Sequence, residues 1–194
     1  MNFGSHSALA TAAFLATSVP AFAAETYTID KQHAWVGFAV NHAGWALALG
    51  KFGRVAGEIV FDKADVTKSS VKVEIDATSI DTNFTDRDKD LNSPDFLNSA
   101  EFPKITFVST VVEKTGDKTG KVTGDLTIIG VTKPVTLDVV WNAEQARPWD
   151  ASAIISGFSA TGTVKAAEFG MGKVAEYGLG PDIKLMIEIE AQKQ

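Results

Sequence analysis

From Ile183 to Glu190 the chain reads Ile-Lys-Leu-Met-Ile-Glu-Ile-Glu, with a long or branched apolar side chain at every second position. Val71-Lys72-Val73-Glu74-Ile75-Asp76 repeats the pattern. A period of two belongs to an extended strand with one wet and one dry face, and it cannot build the continuous apolar stripe of a helix. Less pure alternations, enriched in β-branched and aromatic residues, cover Trp35–His42, Lys51–Phe61, Ile105–Glu113, Lys121–Ile129, Val135–Trp141 and Ile154–Lys165. With Tyr27–Ile29 they make about nine strands. Between them stand Asp62-Lys63-Ala64-Asp65, Thr115-Gly116-Asp117-Lys118 and Gly130-Val131-Thr132-Lys133-Pro134, the turn residues of antiparallel hairpins. Ser79 to Phe102 is the exception, a polar, acidic stretch read as a long loop over one end of the sheet, with short helices at Asp86–Asn92 and Pro94–Leu97. So many hairpin-linked strands must pack as a sandwich or close into a barrel, and the pattern alone leaves both open. No repeat of 20–50 residues is visible, which excludes propellers and solenoids.

The first 24 residues differ in kind. They hold no Asp, Glu, Lys or Arg, and Ala8–Val19 is an apolar run followed by Pro20 and Ala21-Phe22-Ala23. This is the layout of a secretory signal peptide over residues 1–24, with cleavage expected after Ala23 or Ala24, although no Lys or Arg precedes the run. The run is shorter than the ~20 residues of a bilayer span, so no stable membrane insertion is expected. Residues 25–194 then form one domain, as 194 residues in all allow.

Composition narrows the chemistry. Eighteen basic against 24 acidic residues, with no basic run, give a net charge of −6 and argue against nucleic acid as a partner. The absence of cysteine removes thiolate nucleophiles, disulfides and Cys-ligated metals. His33 and His42 lie too far apart in sequence to form the close ligand pair of a zinc site. Asp86-Arg87-Asp88-Lys89-Asp90 imitates a calcium loop, but Leu91 stands where the sharp-turn Gly belongs and Leu97 where the bidentate Glu belongs. Ser109, Ser156 and Ser159 lie in strands without a Gly-x-Ser-x-Gly elbow, and Gly116, Gly120 and Gly124 lie in a hairpin, away from any strand-to-helix phosphate cradle. No catalytic constellation and no metal site emerge, and no enzyme is expected.

Five strings carry a resemblance: Tyr27-Thr28-Ile29-Asp30 with Gln32-His33-Ala34-Trp35-Val36-Gly37-Phe38; Ser79-Ile80-Asp81-Thr82-Asn83; Arg87-Asp88-Lys89-Asp90-Leu91-Asn92-Ser93-Pro94-Asp95-Phe96; Phe102-Pro103-Lys104-Ile105-Thr106-Phe107; and Gly124-Asp125-Leu126-Thr127-Ile128-Ile129-Gly130-Val131-Thr132-Lys133-Pro134-Val135-Thr136-Leu137. In order and spacing, from about Thr26 to Glu190, the chain resembles the YceI-like family. That resemblance implies an all-β fold, an extended eight-stranded antiparallel lipocalin-like barrel with a short helical loop region around residues 86–97. It further implies a periplasmic protein that holds a polyisoprenoid, such as an isoprenoid quinone or a prenyl lipid, in an apolar cavity, with no other cofactor. A homodimer is compatible with it. Two positions depart from the family's usual pattern: Ala166-Ala167-Glu168-Phe169-Gly170 lacks a basic residue common in relatives, and Asp90 stands where a close relative usually has His. Both remove positive charge, which turns the expectation from a pyrophosphate towards a neutral, quinone-like head. If a phosphate were held, Arg54, Arg87 and Lys165 are the basic residues expected at the mouth.

In a closed barrel one alternating set must point inward. Here that set is Val36, Phe38 and Val40; Val71, Val73 and Ile75; Val135, Leu137 and Val139; and Ile183, Leu185 and Ile187, the expected lipid-binding residues. The alternatives are a periplasmic stress or structural barrel filled by its own side chains, with no lipid ligand, and a hydrolase or metalloprotein using Asp86, Asp88, His33 or His42.

Overall fold

The computed structural model describes Met1 and residues 24–194, so the expected signal peptide lies almost wholly outside the described residues. Ten strands follow in chain order: β1 (Glu25–His42), β2 (Ala46–Phe52), β3 (Val55–Phe61), β4 (Ser70–Asp76), β5 (Ile80–Asp81), β6 (Lys104–Lys114), β7 (Thr119–Ile128), β8 (Val131–Arg147), β9 (Asp150–Lys165) and β10 (Leu179–Lys193). Every pairing is antiparallel, and β10 returns to β1, closing the ring β1-β3-β4-β6-β7-β8-β9-β10. Closure decides for the barrel over the sandwich. Eight strands give a lumen wide enough for side chains or one slender ligand.

β1 is long enough to need two neighbours on one edge. Its first residues, Glu25–Thr28, pair with β3, while Val36–His42 pair with β2, so β2 and β3 act as one strand bent at Gly53-Arg54. The expected Lys51–Phe61 strand is split by that bend, and its first half starts earlier, at Ala46. The expected Tyr27–Ile29 and Trp35–His42 strands are both parts of β1, joined through a register irregularity between Ile29 and Ala34. The turn expected over Gly130–Pro134 is tighter: Ile129 and Gly130 alone make it, both at positive φ, and Val131–Pro134 already belong to β8. A helix α1 (Thr85–Asn92) matches the first helix expected in the long loop, but Pro94–Leu97 forms turns instead. Asp86 and Asp88 suit the first turn of α1, where backbone N–H groups lack partners.

The two ends of the barrel are finished differently. At one end, the 77–103 loop and the β9–β10 connection fold inward, burying Phe96, Leu97, Met171 and Val174. The connection consists of two short 3₁₀ turns, Ala166–Phe169 and Gly172–Tyr177, each ended by a glycine in the left-handed region, Gly170 and Gly178. Lys173 of this connection pairs with Asp95 of the other loop, joining the two halves of the cap. At the opposite end a polar strap crosses part of the opening. Lys63 lies 2.7 Å from Glu25 on β1 and 2.6 Å from Glu144 on β8, Lys193 reaches Glu25 from β10, and the fully buried Tyr27 directs its hydroxyl between both carboxylates.

Within the strap, Lys193 foremost, then Lys63 and the Tyr27 hydroxyl, hold the Glu25 carboxyl down to about 2. Burial, reinforced by Glu144 and Glu25, pushes the Tyr27 phenol far up. Because the folded value for Glu25 lies below the unfolded one, its contribution is complete above pH 4.5 and is lost as pH falls towards 2. Glu25→Gln should therefore cost stability at neutral pH, by at most about 3 kcal/mol, with the difference from the parent narrowing as pH falls. Urea denaturation of both proteins at pH 7 and pH 3 measures this; a pH-independent difference would remove Glu25 from the acid response.

Candidate lipid cavity

The interior is hollow. A cavity of about 340 Å³ runs along the barrel, within the ~300–1,000 Å³ typical of small-molecule sites. All twelve residues of the expected inward set lie on its wall: Val36, Phe38 and Val40 from β1; Val71, Val73 and Ile75 from β4; Val135, Leu137 and Val139 from β8; Ile183, Leu185 and Ile187 from β10. Eight of them, Phe38, Val71, Val73, Leu137, Val139, Ile183, Leu185 and Ile187, stay half-buried although they point away from bulk water. Their accessible surface faces empty lumen.

Small residues on the inner face explain why the lumen stays open. Leu137 on β8 lies against Gly162 on β9, where a Cβ would come 2.6 Å from its Cδ2. Phe107 on β6 lies against Gly124 on β7, where a Cβ would come 2.5 Å from its ring. Phe38 is similarly seated on Gly50 of β2. In each pair the large side chain lies along the wall, in space the neighbouring glycine vacates, and not across the axis. Ala160, facing Val139 and Ile187, adds a fourth small inner residue. Reading glycines as turn markers misses these positions; carrying the two-residue alternation from Val164 back through Gly162, Ala160 and Phe158 finds them.

The cavity's polarity is one-sided. At the capped end its wall is Leu91, Phe96, Leu97, Ile128, Met171 and Val174. At the strap end an aromatic group, Phe61, Trp141 and Phe158, packs edge-on at 5.3 and 5.5 Å. Beyond it lie Lys63 and the β6–β7 hairpin with Glu113, Lys114, Asp117 and Lys118, most of it solvent-exposed. The cavity therefore opens at the hairpin and is blind at the cap.

Arg54, Arg87 and Lys165, expected at the mouth, are absent from the cavity wall. Arg54 is held outside by Asp76 and Thr78, and Arg87 by the hydroxyl and carbonyl of Thr82. The residues weighed for other chemistry have structural partners. Asp88 accepts from Thr82 N–H and Oγ1, Asp86 pairs with Lys89, and His42 stands edge-on to Trp45 at 5.5 Å. Ser109 accepts from Val71 N–H, Ser156 from the Trp141 indole, and Ser159 donates to Glu188. Among the described residues, one cluster has ligand-like spacing: Asp30, His33 and Glu190, with donor atoms within 4.8 Å of one another. Sequence spacing misses it because the irregularity in β1 and the β1–β10 seam create it. Arg147 already supplies a fixed cation 3.3 Å from Asp30, and the Asp30 bond raises the His33 imidazole while lowering the Asp30 carboxyl, as in a structural ion-pair cluster.

The YceI-like domain is matched over residues 27–191. The chain belongs to the YceI family. Protein YceI of Escherichia coli O6:H1 is 41% identical over 189 residues, covering 95% of each chain. Among solved structures, Burkholderia cenocepacia BcnA superposes with a TM-score of 0.75 at 21% identity, over 84% of this chain and 98% of that one. A polyisoprenoid binding domain from Saccharophagus degradans, implicated in plant cell wall breakdown, gives a TM-score of 0.65 at 15% identity, over 87% and 98%. At these identities the two structures show a shared fold.

If the calibre is set by the glycine seats, Gly162→Ala should swing Leu137 into the lumen, and Phe38→Trp should fill it directly. Both should lower the amount of lipid carried per protein, each at a cost near the low end of the ~1–3 kcal/mol of overpacking. Organic extraction with mass spectrometry, beside urea denaturation, measures the pair; undiminished loading in both would show that these positions do not bound the ligand.

Proposed function

We propose that this protein is a non-enzymatic, periplasmic carrier that holds one polyisoprenoid or quinone-like lipid in the barrel, in contact with the twelve inner residues named above. The observation that carries this reading is the open, almost wholly apolar lumen, which a self-filled structural barrel would not have. The family and the polyisoprenoid-binding neighbour support it. The elongated shape supports it too: the 15 residues of β10, at ~3.3 Å each and tilted ~40°, span roughly 38 Å along the axis, with the cap and the strap taking up the two ends and the slender lumen between them.

Burial of each five-carbon unit is worth roughly 3–4 kcal/mol, and eight units would exceed the ~18–21 kcal/mol ceiling of non-covalent binding before chain ordering is counted. Tail length therefore dominates affinity, and binding of an uncharged lipid is nearly independent of salt. Among the described residues, no helix is long and apolar enough to cross a membrane. The uncharged first 24 residues serve as the export signal, and the mature chain begins at Ala24 or Glu25.

Protein purified from the native host's periplasm should carry a prenyl lipid, detectable by mass spectrometry of an organic extract, and N-terminal sequencing of the same sample should start at Ala24 or Glu25. Lipid-free protein that also takes up no prenyl lipid on titration would leave the barrel a structural element; an intact Met1 on that material would refute the export signal.

A further inference from the structure

The cavity wall is apolar except at one place. Ser69, Thr119 and all of its charged residues, Lys63, Glu113, Lys114, Asp117 and Lys118, surround the hairpin mouth; among the described residues no other charged residue reaches the wall. A lipid with one polar end and one apolar tail can bury its tail without stranding the polar end only if the head stays at this mouth. The blind end offers Phe96, Leu97, Met171 and Val174, all buried and without a hydrogen-bonding side-chain group.

The local geometry brings the lysines to the lumen. β6 and β7 shift register between Ser109 and Val111, and beyond that point Val112 faces Val122 and Lys114 faces Gly120, so Lys114 continues the inner face of β6. Lys118 bends back from the hairpin, its Nζ 3.1 Å from the Asn142 carbonyl and 5.7 Å from the centre of the Trp141 ring. Neither Lys114 nor Lys118 makes an ion pair with a described carboxylate, whereas Lys63 is engaged by Glu25 and Glu144. Asp117 shares the rim from the hairpin turn, while Glu113, between the inward Val112 and Lys114, faces Lys121 on the outer side of the sheet.

Resting on the lipid-carrier reading and deepening it, we propose that the ligand lies tail-first towards Phe96 and Val174 with its head at the β6–β7 hairpin, and that Lys114 and Lys118, with Asp117 beside them, form a rim that holds the hydroxyl or carbonyl oxygens of the head. The lysines donate to those oxygens. Asp117 offsets part of the lysines' attraction for a phosphate, which would otherwise compete on charge alone. Head selection thus sits at the end opposite Arg87, Lys165 and the Glu168 turn.

The test compares geranylgeraniol with geranylgeranyl phosphate, identical in tail, by tryptophan fluorescence titration at low salt, since Trp141 lines the cavity. The readout is the ratio of phosphate to alcohol affinity. Asp117→Asn should raise it roughly twofold, and Lys114→Ala with Lys118→Ala should lower it roughly threefold or more, as exposed charge pairs do; both changes should fade at high salt. Arg87→Ala with Lys165→Ala should leave it unchanged. A ratio that moves with the Arg87 and Lys165 pair, or with neither the Asp117 nor the lysine substitutions, overturns the orientation while the lipid reading stands. Failure of the parent to bind either probe overturns the lipid reading and the orientation together.

Discussion

The seam between β1 and β10 is the contact on which the rest depends. Tyr27 faces Lys193 and Val40 faces Ile183, so the first and last strands pair along most of their length. Without that seam the sheet would have two long open edges and an apolar face in water. With it, the inner residues become a lumen, the Glu25–Lys193 pair becomes possible, and Asp30, His33 and Glu190 meet across the join. The polar strap and the loop cap then finish the two ends of a tube that already exists.

What the tube encloses follows from side-chain size more than from hydrophobicity. An inner face made wholly of Leu, Ile and Phe would fill an eight-stranded lumen. Here large side chains are seated on glycines of neighbouring strands, and the freed volume collects along the axis. The asymmetry of the ends adds direction to that volume: one end is sealed by buried apolar side chains and the other carries the charges.

The period-two patterns of Val71–Asp76 and Ile183–Glu190 made strand class and inner face legible, because burial on one side leaves its mark at every second residue. The Val36, Leu137 and Ile187 sets were readable for the same reason. Closure was not, since sandwich and barrel impose the same local alternation, and it entered the sequence reading only through family resemblance. The mouth was misplaced at Arg54, Arg87 and Lys165 because charge says nothing about which end of a tube a residue occupies. Lys114 escaped notice for a local reason: the register shift after Ser109 changes which residues of β6 face inward, and no residue type announces such a shift. Gly162 was hidden by its chemistry, since a missing side chain leaves no hydrophobic signal.

The glycine seats separate two properties that most folds couple. The ladder of β8 and β9 runs from Arg147 and Asp150 to Asp138 and Thr161 regardless of what fills the lumen, while the bore beside Leu137 is set by whether residue 162 has a Cβ. One methyl group can therefore change the girth of guest that fits without touching strand number, register or closure. A barrel built on this plan can drift from slender to bulkier or flatter guests by single substitutions on the inner face, keeping the same strands throughout.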